Sequence, residues 1–249
     1  NELLNFQKNN NFKNLEKWNK FEAGLVTQAD LKSDKIIKEI IKNNSNHNIL
    51  SEESREEFNL ISEEFFCVDP LCGTVPYSNN LNSWGLTVSF FSGDKSVGAI
   101  ACPGIDEIIY CDEDNVYLNG EIYKPNVEFP EMIDMTLCLE IEQGKNWSKL
   151  FQNELSWVNN FSYINSFASA VFPGLQIIKG NLPIMAIYKI SLEHVGGLIS
   201  IGEKLGLKST DIFGNDLKTD NLIKDVPDWF IFGWPKVHEE LINLINNKE

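Results

Sequence analysis

Hydrophobic and polar positions change period several times along this chain, and each change marks an element. Leu3, Leu4, Phe6, Phe12, Leu15, Trp18 and Phe21 are spaced as a helical stripe interrupted around residues 9–11. Ile36, Ile37, Ile40 and Ile41 recur at helical spacing within 32–43, and Thr27 or Asp30 is placed to cap that helix. A short apolar segment, Ile49-Leu50, ends in the carboxylates Glu52 and Glu53. Phe65, Phe66 and Val68 form a strand-type run that breaks at Asp69-Pro70, with Gly73 and Thr74 just beyond. From Trp84 to Ala101 the pattern alternates around Ser92-Gly93-Asp94, as in an antiparallel hairpin, and a second strand pair covers 107–110 and 116–118. Residues 125–130 read as a connector between two halves, 1–125 and 126–249, that form one unit. Beyond it come a buried strand at 134–141, a short helix at 146–155, a strand at 229–232 and an amphipathic helix from Lys236.

The break at Asp69-Pro70 carries the chemistry. A carboxylate at a strand end is held by the sheet yet faces outward, and the Gly73-Thr74 that follows offers backbone N–H groups and a hydroxyl to an anion. This is a layout for a metal and a phosphate. The formal net charge of -15 argues against a nucleic-acid partner. Arg55 is the only arginine, so a bidentate arginine clamp is almost unavailable, and Mg²⁺ is the natural bridge between an acidic site and a phosphate. The five cysteines show no zinc-type pairing and read as reduced thiols of a cytoplasmic protein. No apolar run is long enough to span a bilayer, so no membrane partner is expected.

The stretch Asp69-Pro70-Leu71-Cys72-Gly73-Thr74 resembles the Asp-Pro-(Ile/Leu)-Asp-Gly-Thr signature of the inositol monophosphatase family, with Cys72 at the second Asp. Val26-Thr27-Gln28-Ala29-Asp30 is similar to the family's Val-Thr-x-Ala-Asp, with Lys20 at its upstream lysine, and Leu50-Ser51-Glu52-Glu53-Ser54 resembles its Gly-Glu-Glu-Ser. Residues 191–206 are similar to Trp-Asp-His-Ala-Ala-Gly-x-Leu-Ile-x-x-Glu-Ala-Gly-Gly, with Glu193 at the metal-binding Asp. The resemblance runs from Lys20 to the C-terminus. It implies a layered αβαβα sandwich of the inositol monophosphatase and fructose-1,6-bisphosphatase type, an α/β fold.

For the site, the resemblance implies that Asp30 and Thr74 orient the attacking water and that Gly73 and Thr74 bind phosphate. It places a first Mg²⁺ on Glu52, Asp69 and the Leu71 carbonyl, and a second on Asp69, Glu193 and the position of Cys72. A thiol is a poor Mg²⁺ ligand, although it favours Zn²⁺, and Glu193 adds a methylene. The family's inositol-contacting Glu falls at Ala186. On residue chemistry alone, Asp30 and Glu193 are equally helix-capping groups and His194 is structural. Two functions stay open. One is a Mg²⁺-dependent phosphomonoesterase acting on a small phosphate monoester as a cytoplasmic homodimer; the other is a degenerate relative that binds a phosphorylated ligand or a protein partner without turnover.

Overall fold

The computed structural model describes residues 2–9, 17–20, 24–58, 64–129, 134–141, 144–150, 155–217, 219–224 and 226–246. In chain order the elements are α1 (Glu2–Asn9), β1 (Lys17–Lys20), β2 (Gly24–Thr27), α2 (Gln28–Asn44), β3 (Asn48–Ser51), β4 (Glu64–Cys72), α3 (Thr74–Ser78), β5 (Gly85–Ser92), β6 (Lys95–Cys102), β7 (Glu107–Cys111), β8 (Val116–Leu118) and β9 (Glu121–Ile122). They continue with β10 (Thr136–Glu140), α4 (Gly144–Leu150), β11 (Tyr163–Asn165), α5 (Val171–Ile178), β12 (Ile184–Tyr188), α6 (Leu192–Leu205), β13 (Lys208–Thr210), α7 (Thr219–Lys224), β14 (Trp229–Gly233) and α8 (Pro235–Asn246).

A seven-stranded sheet has the order β3-β4-β5-β6-β7-β8-β9, parallel at β3–β4 and antiparallel elsewhere. A five-stranded mixed sheet has the order β11-β10-β12-β14-β13. Alternation along each strand decides what each face meets. In the second sheet Cys138, Met185, Ile187, Phe230 and Phe232 join the core shared with Val171, Leu175, Leu198 and Ile201 of α5 and α6. The intervening Leu137, Leu139, Ile184, Ala186 and Ile231 pack instead with Leu150 of α4 and Val237 and Leu241 of α8. Helix α6 also lies along β4, β5 and β6, and α2 packs on β4. The layers therefore run α1/α2, large sheet, α5/α6, small sheet, α4/α8, an αβαβα sandwich.

Two local features set the site's geometry. Pro70 has no N–H for the ladder, and the β4–β5 register shifts there: Asp69 opposes Thr87 while Cys72 opposes Gly85. The extra residue returns Cys72 to the face of Asp69, where two residues three apart would otherwise point oppositely. The second feature is the approach of α6 to the sheet. A Cβ on Gly196 would stand 2.5 Å from Ser89 Oγ, and one on Gly98 would stand 2.9 Å from the Gly197 Cα. Glycine at these positions lets the helix start sit low over β4.

One element differs from expectation. Trp18, assigned to a helical stripe, lies on β1, which pairs with β2; of the expected helix the structure describes α1, while Phe12, Leu15 and Phe21 lie outside the described residues. Local spacing alone did not reveal that 17–20 finds its hydrogen bonds in the strand leading into α2.

Candidate functional site

Thr27 caps α2, and Asp30, three residues on, completes a capping box. The Thr27 backbone N–H and hydroxyl donate to Asp30 Oδ2 at 2.8 and 2.5 Å, leaving Oδ1 to accept the Thr74 hydroxyl at 2.8 Å. Capping and site geometry are thus one arrangement, and the two readings of Asp30 do not compete. Burial pushes its carboxyl up to about 6, against the bonds from Thr27 and Thr74 that pull it down. Gly73 joins β4 to α3 with φ of 92°, and a Cβ there would meet Ser169 Cβ at 3.0 Å, so this turn needs glycine.

Asp69 is fully buried. Its Oδ1 accepts the Leu71 N–H at 3.1 Å and its Oδ2 lies 2.6 Å from His194 Nδ1. His194, expected to be structural, therefore contacts Asp69 directly. Burial pushes its imidazole down, but the charges of Glu52 and Asp69 and hydrogen bonds to Asp69 and Cys72 outweigh that, and its pKa lies well above 6.5. Cys72 Sγ accepts the backbone N–H groups of Ala170 at 3.2 Å and Val171 at 3.4 Å, with the Ser169 hydroxyl at 3.5 Å. Burial, with Asp69 adding to it, pushes the thiol up to about 11. The donor atoms of Asp69, Cys72 and His194 all lie within 4.8 Å of one another.

Glu193 goes elsewhere. It is buried in the first turn of α6 and pairs with Arg55, whose guanidinium also donates to the Ile223 carbonyl at 2.5 Å. Its second oxygen, Oε2, is buried without a hydrogen-bond partner. Glu52 opens the 3₁₀ turn Glu52–Glu57 after β3, three residues before Arg55, and its charge acts on His194. Among the described residues, neither Glu52 nor Glu193 joins the tight group of Asp69, Cys72 and His194. Asp69 thus faces His194, and Glu193 faces Arg55. Residue spacing missed both partners. The available signal was chemical: a lone arginine beside Glu52, and an imidazole beside Glu193 in a chain that had exchanged a carboxylate for a thiol at 72.

Ala186 is buried in β12 within the outer cluster of the second sheet, so it offers no contact at the site. The side chain of Lys20 lies outside the described residues.

The donor set divides when tested against divalent cations. Glu52, Asp69 and the Leu71 carbonyl are hard oxygens that suit Mg²⁺, and the orphaned Glu193 Oε2 is a buried acceptor that a cation would satisfy. A second Mg²⁺ does not fit, because its place is lined by a thiol and an imidazole.

The model of the inositol monophosphatase family matches residues 2–193. Among solved structures, the chain is similar to the extragenic suppressor protein SuhB from Bartonella henselae, with a TM-score of 0.84 and 22% identity over 99% of this chain and 93% of that one. It is also similar to the Thermotoga maritima IMPase, with a TM-score of 0.78 and 18% identity over 98% and 92% of the two chains. The inositol monophosphatase from Anabaena (Nostoc) gives a TM-score of 0.76 and 20% identity over 87% and 85%. No curated protein matches the chain by sequence. The matched span takes in the capping box of α2, the turn of Glu52, the Asp69 bulge and α6 up to Glu193, and on that ground the chain belongs to the inositol monophosphatase family.

Proposed function

We propose that the chain hydrolyses a small phosphate monoester with a metal-activated water. The observation that carries this reading is the 2.8 Å bond from Thr74 Oγ1 to Asp30 Oδ1. Because that hydroxyl spends its proton on a carboxylate, its oxygen is left as an acceptor, able to hold a water by one O–H and aim the water's lone pair outward. Glu52, Asp69 and the Leu71 carbonyl would hold Mg²⁺. When bound, such an ion polarises phosphoryl oxygens and lowers the pKa of water. Gly73 and Thr74 are assigned to the phosphate through their backbone N–H groups. A neighbouring structure, an IMPase/NADP phosphatase at 14% identity, was solved with Mg²⁺ and phosphate, which agrees with this chemistry. The proposal includes a homodimer in the cytoplasm and two halves, 1–125 and 126–249, acting as one unit. Among the described residues, no helix is long and apolar enough to cross a membrane.

A second reading has its own observation. The Arg55–Glu193 and His194–Asp69 pairs engage two of the expected ligand carboxylates with the chain's own cations, as suits a chain that binds a phosphorylated ligand or a protein partner and does not turn it over. The experiment is a phosphomonoester panel with Mg²⁺, Mn²⁺ or Zn²⁺, using wild type, Asp30→Asn, Thr74→Val and the double variant Cys72→Asp/Glu193→Asp. Hydrolysis that falls about 100-fold in Asp30→Asn and Thr74→Val is expected for a positioned proton-transfer pair. The double variant should raise Mg²⁺-dependent turnover about tenfold, equivalent to ~1.4 kcal/mol of barrier. A folded wild type and double variant that gain thermal stability from panel compounds but hydrolyse none would decide for the second reading.

A further inference from the structure

The Asp69–Cys72–His194 group calls for a different ion from the one its relatives' signature implies. The bulge at Pro70 puts Asp69 and Cys72 on one face of β4, and the glycine seam of α6 brings His194 down to them. Oxygen, sulfur and nitrogen donors from one short strand segment and one helix start thus converge within 4.8 Å. Mixed N, S and O donors select a borderline ion with four-coordinate geometry, whereas Mg²⁺ demands oxygens in an octahedron.

Two further observations separate this group from an ordinary buried cluster. Three hydrogen-bond donors converge on one sulfur: the N–H groups of Ala170 and Val171 at the start of α5 and the Ser169 hydroxyl. Donors to sulfur at a helix N-terminus favour the thiolate that ligates metal, although burial and the Asp69 charge keep the thiol protonated until an ion displaces its proton. Asp69 in turn is oriented by the Leu71 N–H on Oδ1, which leaves Oδ2 aimed at His194. Of the five cysteines, Cys72 alone belongs to such a group among the described residues.

We propose that Asp69, Cys72 and His194 form a binding site for a single borderline divalent ion, Zn²⁺ by the chemistry of its donors, with the fourth position left for water or a phosphoryl oxygen. Tetrahedral coordination at bond lengths of 2.0–2.3 Å spaces donors by about 3.3–3.8 Å, so Asp69 and His194 move apart by roughly an ångström from their present contact as the ion replaces the proton between them. Binding releases the Cys72 and imidazole protons to solvent. The site shares Asp69 with the Mg²⁺ reading above and to that extent rests on it, but its test needs no turnover.

The full chain, stripped of metal, is titrated with Co²⁺ and followed by absorption. The expected result is a sulfur-to-cobalt charge-transfer band and strong four-coordinate visible bands that saturate at one equivalent, are displaced by Zn²⁺ and are untouched by excess Mg²⁺. Cys72→Ser should abolish the charge-transfer band, and His194→Gln should weaken Zn²⁺ affinity more than about tenfold while both variants keep the wild-type circular dichroism spectrum. A charge-transfer band that survives in folded Cys72→Ser, or none in wild type, overturns the proposal. If either variant fails to fold, competition of wild-type Co²⁺ binding by thiol-specific alkylation decides: the Co²⁺ bands should vanish with modification of Cys72, identified by mass spectrometry, and bands persisting on the alkylated chain overturn it. A cobalt site in a chain that hydrolyses nothing leaves this inference standing and removes the phosphatase reading; hydrolysis without a cobalt site does the reverse.

Discussion

Asp30 is the residue whose environment most directly controls the proposed chemistry. With its carboxyl held at about 6, the Thr74 hydroxyl has a charged acceptor only above that pH. Hydrolysis should therefore fall as pH drops through about 6, and Asp30→Asn should flatten that limb at a low rate; pH–rate profiles at saturating metal check both. The same shift has a stability consequence of known sign. A carboxyl raised from 3.8 favours its neutral form, so the stability it contributes is full below 3.8 and is lost as pH rises through about 6, by at most about 3 kcal/mol. The proposed water-orienting pair is kept at that cost. A cap for α2 at Thr27 or Asp30 was legible in the sequence because helix-start spacing is local, whereas the pairing of Asp30 with Thr74 was legible only through the family resemblance. Arg55 and Glu193 were not, because their pairing joins positions 138 residues apart and depends on where α6 docks.

Elements repeat the lesson. Helix α2, the β5–β6 hairpin and α8 follow from periodicity. The buried faces of the first two do not: α2 buries Ala29, Ser33, Asp34 and Ile41 while Ile40 is exposed, and β5 buries Thr87 and Ser89 beneath α6. Strand β1 does not, because four residues carry too little pattern to outweigh their neighbours. The loop before α5 was equally hidden. Its Phe167 and Ala168 N–H groups and Ser166 hydroxyl all donate to buried Glu140 at the end of β10, which holds Ala168 at φ of 51° and aims the start of α5 at Cys72. Helix α8 is anchored differently, by His238 against the Thr210 hydroxyl of β13 at 2.8 Å. Burial, helped by Lys208, depresses this imidazole to about 4. A depressed histidine contributes stability that is present above 6.5 and lost as pH falls toward about 4, here by about 3 kcal/mol. His238→Gln keeps a hydrogen-bonding group without the titration, so its thermal melts should vary less between pH 6.5 and 4 than those of wild type.

At the scale of the whole molecule, the middle helix layer is shared by both sheets, and the site is built where that layer meets the larger one. Its contacts span the chain: 138 residues for Arg55–Glu193, 125 for Asp69–His194 and 98 for Cys72–Ala170. Closing such loops costs entropy before any contact rewards it, so these contacts are expected to form late on the folding pathway. The Asp69–Cys72–His194 site is thus incomplete on the emerging first half, where β3 and β4 are complete but α6, which carries His194, has not been made. Zn²⁺ should leave the refolding rate of this protein nearly unchanged and slow its unfolding instead, as stopped-flow measurements with and without Zn²⁺ will read. The ion would then act as a latch on a finished fold, setting how long the molecule lasts and having no part in how fast it is made.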